Sequence, residues 1–240
     1  MKSAVKELMT MSDNMSIPQS TDLFVRSLPF WEHLESEQKH LISIGSTTVD
    51  YKKGEKLVDG SDRCVGLLLI KRGELRTYTI SEDGRSITLF RLRNGDICIM
   101  AAWCLLPPLQ FPIYIEADTD VSGILIHAGA LGKLIEKNIY AKEFCYETEA
   151  RRLSDMLWVM QQMIFLSTDQ RLARFLLEES KATGSDELHL THERIATYMG
   201  SAREVVSRLM KYFSKEGMVR GSRGRIVLLD KKRLSQIAAQ

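Results

Sequence analysis

The sequence predicts an α+β chain in three parts: a β-barrel or sandwich, a long helix, and a C-terminal winged helix-turn-helix. Three observations carry this. From Ser46 to His127, turn pairs such as Lys53-Gly54, Asp59-Gly60, Arg72-Gly73, Asp83-Gly84 and Asn94-Gly95 punctuate β-branched and aromatic runs. Beyond Ala130, apolar residues recur with a seven-residue period toward Leu166. The stretch Thr191 to Met210, THERIATYMGSAREVVSRLM, then reads as two short helices broken at Gly200.

At 240 residues the chain has room for one large or two small domains. Residues 1–20, rich in Met, Ser and Lys and holding Pro18, are expected to form a loose tail. From Asp22 to Ile44, Phe24, Leu28, Phe30, Leu34, Leu41 and Ile42 suggest short helical turns interrupted at Pro29. The barrel domain spans residues 21–129, and within it Asp83-Gly84 between TYTI and SITLF marks a hairpin. Residues 130–166 form a hinge and long helix, interrupted near Asn138. Along it Tyr146, Leu153 and Met160 recur every seven residues, as do Met156 and Met163, while Leu157 and Ile164 widen the face. That seam suits pairing with a second copy of the helix; the alternative is packing on the chain's own barrel. Residues 167–240 make the last domain, opening with an amphipathic helix that turns Leu172, Phe175 and Leu176 inward.

In the helix pair, Ile195, Ala196 and Met199 face inward and Gly200 supplies a left-handed turn. Ser201 and Glu204 are spaced as a capping box for the second helix, whose Val205, Val206 and Leu209 make an inward stripe. Arg203, Glu204, Ser207 and Arg208 are left pointing outward. An ordinary helical hairpin with a solvated charged face is the rival reading. Against it, residues 191–225 hold eight Lys/Arg and three Asp/Glu in a chain of net charge only +2. Val219 to Leu229 also reads as strand, turn (Gly221-Ser222-Arg223-Gly224) and strand, a wing that offers Arg223 and Arg225 to phosphate. Double-stranded DNA is the expected partner, held by a local basic face rather than by global charge.

Other classes fit poorly. The five histidines (His33, His40, His127, His189, His192) fall singly in different elements, and no HExxH, GxSxG or phosphate loop occurs, so no enzyme is expected. There is no run of 18 apolar residues and no secretory leader pattern, so a cytoplasmic protein away from membranes is expected. Cys64, Cys98, Cys104 and Cys145 lack CxxC spacing and are expected to be reduced, with no metal site.

Barrel, long helix and winged helix in this order resemble the Crp/Fnr family of bacterial transcription regulators over about residues 22–230. The GEK (Gly54), RGEL (Gly73) and NGD (Gly95) segments share its glycine pattern. In that family the recognition helix reads Arg-Glu-x-x-Gly/Ser-Arg, and Arg203-Glu204-Val205-Val206-Ser207-Arg208 fits throughout. The resemblance implies a cyclic-nucleotide-binding-like jelly roll, a homodimer on a palindromic operator with GTGA- or TTGA-type half-sites, and RNA polymerase as a further partner. Arg203, Glu204, Ser207 and Arg208 become the base readers, Arg suiting guanine O6/N7 and Glu suiting cytosine N4. Thr191, Ser201, Lys211, Arg223 and Arg225 complete the DNA-binding set.

The effector is less determined. Members that bind cyclic AMP carry a glutamate and an Arg-Ser pair where this chain has Met100 and Phe111-Pro112, so the phosphate would lack its cation. Members with an iron–sulfur cluster use N-terminal cysteines, and residues 1–30 contain none. Haem remains open, with His127, Cys98, Cys104 and Met100 as candidate axial ligands. Cys98, Met100, Trp103, Cys104, Phe111 and Tyr114 are the candidate effector pocket, for a gas or haem, a redox signal or an apolar ligand; filled core is the plainer reading of each alone. No Lys, Arg or His neighbours Cys98 or Cys104 in sequence to lower a thiol pKa. The alternative to a DNA-binding regulator is a ligand-binding signalling module without DNA function.

Overall fold

A computed structural model describes residues 24–60, 65–82, 84–99 and 112–239. A helical turn at 24–27, a 3-10 turn at Trp31–His33 and helix α1 (Ser36–Ile44) precede eight strands. These are β1 (Ser46–Tyr51), β2 (Lys56–Asp59), β3 (Gly66–Arg72), β4 (Leu75–Ile80), β5 (Ser86–Leu92), β6 (Ile97–Ile99), β7 (Tyr114–Ala117) and β8 (Val121–His127). They form two four-stranded antiparallel sheets, ordered β1-β8-β3-β6 and β2-β7-β4-β5.

Strand alternation explains the layers. Leu68 and Ile70 of β3 point between the sheets and join Val58, Leu75, Leu92, Cys98, Ile115 and Leu125. Leu67 and Leu69 point the other way, where Ile99, Ile124 and Ile126 make a floor for Phe24, Leu28, Trp31, Leu131 and Leu134. A strand covered on both faces reads as an unbroken apolar run, which is why GLLLI does not alternate. Gly123 is forced by the same crowding, since a Cβ there would lie 2.4 Å from the Leu69 carbonyl oxygen of β3.

Helix α2 (Ala128–Lys137) leaves the barrel and stops at Asn138, and α3 (Ile139–Phe165) starts there. The buried Asn138 carboxamide accepts from the Ala141 amide at 3.0 Å while its nitrogen donates to the His33 carbonyl and to Gln38, both at 3.0 Å. Only the first turns of α3 are buried, through Ala141, Cys145 and Thr148. Beyond them Leu153, Leu157, Met160 and Ile164 are exposed, in line with Tyr146. The expected seam divides here: Met156 is half-buried, and the Met163 methyl lies 3.1 Å from where a Gly200 Cβ would stand, turned toward the chain's own C-terminal domain.

That domain contains α4 (Thr168–Thr183), β9 (Glu187–Leu188), α5 (His192–Met199), α6 (Arg203–Lys215), β10 (Val219–Ser222), β11 (Arg225–Leu228) and α7 (Lys231–Ala239). Leu172, Leu176, Ile195, Ala196, Met199, Val206, Met210 and Phe213 close one core over the sheet β10-β11-β9. The wing turn is tighter than expected: Ser222 pairs with Arg225, leaving only Arg223-Gly224 at the tip. The two-residue strand β9 is too short to show a period in the sequence.

Replacing Asn138 by Ala removes the cap and leaves the His33 carbonyl unpaired. A loss of about 2 kcal/mol in urea unfolding, with an unchanged slope, is expected.

Candidate nucleic-acid interface

Helix α5 is capped by Thr191, whose hydroxyl accepts from the Arg194 amide at 3.2 Å. It ends at Gly200 with φ +60, where the Ser201 amide reaches back to the Ala196 carbonyl at 2.9 Å. This corrects the expected capping box. Ser201 completes the end of α5, and the residue at the N-cap of α6 is Ala202, which makes no side-chain cap. Glu204 is thereby left on the exposed first turn of α6, where a carboxylate also suits the positive end of the helix dipole.

Val206, Met210 and Phe213 bury one side of α6, with Leu209 packed beside them and Val205 half-buried. The opposite side forms one open groove of about 340 Å³ lined by Arg203, Glu204, Ser207, Arg208 and Lys211. Arg203 is two-thirds exposed and lies 3.8 Å from Glu193 on α5. His192 is pushed below the usual imidazole range by partial burial and by the Arg203 charge beside it. Among the described residues Arg208, Lys211 and Arg223 form no ion pair, so their charge faces solvent. Arg225 differs: its guanidinium is tied to Glu187 on β9, and phosphate would have to compete for it.

The barrel answers the effector expectations in part. Met100, Trp103, Cys104 and Phe111 lie outside the described residues. Tyr114 does not face the interior. Its strand neighbours Ile115 and Ala117 take that side, and its ring stacks on Tyr78 across the outer face at 5.3 Å. Cys98 does point inward, and burial, then the Glu149 carboxylate, pushes its thiol up to about 12. His127 is exposed at the end of β8, its Nε2 3.0 Å from the Thr47 hydroxyl. A haem ligated by the described candidates therefore fits poorly: one imidazole is outside the barrel and the one thiol is held protonated.

Two features escaped the sequence. Thr77 on β4 is buried, and among the described residues its hydroxyl has no hydrogen-bond partner. Glu149 on α3 is pushed up to about 7 by burial, against the lowering effect of Arg152. It raises both the Cys98 and Cys145 thiols, so it sits where α3 meets β6. Its only sequence signal was position, beside Cys145 and Thr148 on the buried side of the helix.

Residues 48–138 match the family model described as a cyclic nucleotide-binding domain, and residues 170–237 match the Crp-like helix-turn-helix domain. The transcriptional regulator SdrP of Thermus thermophilus is 36% identical over 202 residues, covering 80% of this chain and 94% of its own. A solved transcriptional regulator of the Crp/Fnr family from Eubacterium rectale superposes with a TM-score of 0.82 at 41% identity, over 89% of this chain and 99% of that one. The chain belongs to the Crp/Fnr family. The fumarate and nitrate reduction regulatory protein of Vibrio cholerae is a more distant relative, 28% identical over 85% of this chain and 83% of its own. This Crp/Fnr protein is accordingly a DNA-binding transcription regulator, with the family's barrel followed by its helix-turn-helix. None of its described helices is long and apolar enough to cross a membrane.

Because Glu149 binds its proton more tightly when folded, it favours the folded state at low pH, and that contribution is lost as pH rises from the unfolded carboxylate range through about 7. Glu149→Gln should therefore flatten the pH dependence of unfolding across this window and stabilise the protein above it by roughly 2 kcal/mol.

Proposed function

We propose that this regulator binds an inverted-repeat operator as a homodimer, with Arg203, Glu204, Ser207 and Arg208 of each α6 reading base edges in successive major grooves. The observation that carries the reading is the groove on α6: its side chains share one open face while Val206, Met210 and Phe213 anchor the other. Arginine meets guanine O6/N7 and glutamate accepts from cytosine N4. Lys211 and, at the wing tip, Arg223 supply phosphate contacts; Thr191 and Ser201 stand at the ends of α5 beside the backbone path, and Arg225 contributes once released from Glu187. RNA polymerase is the further partner that family membership brings to this reading.

The exposed line Tyr146, Leu153, Leu157, Met160 and Ile164 is the dimer seam in this proposal. Its spacing alternates by four and three residues once Ala150 is included, as two paired helices require. Pairing there sets the separation of the reading helices, which must be near one helical repeat, about 34 Å. The signal enters through the barrel, and a redox, gas or apolar ligand is favoured over a cyclic nucleotide despite the name of the matching barrel family. Among the described residues Arg76 is the one buried cation; it bonds Thr88, Ser86 and Glu116 and reaches toward the C-terminal domain. A cyclic phosphate inside the barrel would want such a cation.

Arg203→Ala combined with Arg208→Ala should weaken binding to a selected operator duplex roughly 100-fold or more while thermal unfolding stays unchanged. Unaltered affinity in a fluorescence anisotropy titration would remove the reading. Arg223→Ala should instead weaken all duplexes alike and make the salt dependence shallower by roughly one, the share of a single neutralised phosphate.

Leu157→Glu places a charge on the seam and should raise the dimer dissociation constant roughly 100-fold or more. Sedimentation equilibrium that still shows the wild-type dimer would move the seam elsewhere.

A further inference from the structure

The exposed line on α3 is polar at one end and apolar at the other. Its spacing of four and three residues continues back from Tyr146 through Glu143 to Ile139, which is two-thirds exposed. Lys142, Glu143 and Glu147 are exposed along this first stretch. Residues 156–165, MLWVMQQMIF, carry no charge. A second copy of the helix can therefore be recognised by charge only at the end nearer the barrel.

Within one protomer the three charges are poorly matched. Glu143 and Glu147 are four residues apart, so two like charges share one face of the helix, an arrangement that costs helix stability. Lys142 has no carboxylate three or four residues away on either side. Among the described residues none of the three side chains forms an ion pair. Arg151, four residues beyond Glu147, donates to the Thr148 hydroxyl instead, at 3.4 Å.

Pairing supplies what the single helix lacks. In the heptad that places Glu143, Leu157 and Ile164 at position a and Tyr146, Leu153 and Met160 at position d, Lys142 falls at g and Glu147 at the following e. In a parallel pair in register, g of one helix meets e of the other, so Lys142 faces Glu147 of the partner subunit at two symmetric sites. The same lysine borders the partner's Glu143, and a single polar residue at a fixes register at a cost in stability. The opposite orientation has no such match. Two antiparallel copies with the line fully overlapped would set Glu143 against Met160, and Lys142 and Glu147 against the uncharged residues 156–165. The Glu143 carboxylate would lose water there without gaining a cation. The parallel pair also puts both C-terminal domains at one end, where two copies of α6 can enter one duplex.

We propose that Lys142, Glu143 and Glu147 form an orientation key, an inter-subunit charge cluster that selects a second copy of this chain, parallel and in register, as the partner of α3. The apolar positions supply affinity, and the key decides which helix is accepted and which way it runs. It rests on the dimer seam of the preceding reading.

The test uses the full-length protein. Lys142→Glu sets carboxylate against carboxylate at both sites, and Glu147→Lys sets cation against cation, so each variant should dissociate roughly tenfold more readily than wild type in sedimentation equilibrium. Mixed in equal amounts, one of them carrying an affinity tag, the two should form at least roughly four-fifths mixed dimers by native mass spectrometry, because both sites are then complementary. Contacts to Glu143 cancel in that comparison, so the readout isolates the pairing of Lys142 with Glu147. Independently, Ala150→Cys places one thiol at the same seam position of each helix, and oxidation should link the protomers while wild type stays unlinked. The key is overturned if the mixture assorts at random, or if Ala150→Cys remains dimeric but does not cross-link. If Leu157→Glu leaves the dimer whole, the seam itself is wrong; if that variant falls apart while the charge variants assort at random, the key alone fails.

Discussion

Strands β3 and β8 are buried on both faces, and the rest of the molecule is arranged by that constraint. One face closes the barrel with Leu68, Ile70, Val121 and Leu125; the other seats the N-terminal turns and α2 through Leu67, Leu69, Ile124 and Ile126. Neither face tolerates water, so α2 must lie against the sheet, and Asn138 then fixes where α3 departs by bonding Ala141, His33 and Gln38 at once. The direction of α3, and with it the position of everything C-terminal, follows from how one sheet hides its second face.

Helix α3 changes role along its length. Its first turns complete the barrel's core with Ala141 and Cys145, whereas its later turns expose Leu153, Leu157, Met160 and Ile164. Glu149 stands at the transition, half-buried beside the thiols of Cys98 and Cys145, and burial there pushes its carboxyl up against the opposing charge of Arg152.

The DNA-binding domain divides its side chains by a simpler rule. Val206, Met210 and Phe213 hold α6 in place, and the residues between them face outward because a helix has only one buried side in so small a domain. The same division on α5 sends Ile195, Ala196 and Met199 inward and leaves Arg194, Thr197 and Tyr198 to meet the barrel. Helix α5 thus lies between α6 on one side and the barrel on the other.

Periodicity and turn chemistry are local, and they are legible in the sequence alone. The glycine-marked strands, the break at Asn138, the helix pair around Gly200 and the outward set Arg203, Glu204, Ser207 and Arg208 all follow from residues within a few positions of one another. Even locally, neighbouring elements compete: Ser201 is spaced to open α6, but its amide closes α5. Tyr114 lies on the outer face because Ile115 and Ala117 take the inner one, a choice that a four-residue strand does not reveal in its sequence. Only the tertiary structure decided which charges are spoken for. Asp118 and Tyr198 are 80 residues apart, and Arg91 and Glu179 are 88 apart. A charged side chain reads as solvated surface in sequence; what it does depends on which distant segment folding carries against it, and no local pattern encodes that meeting.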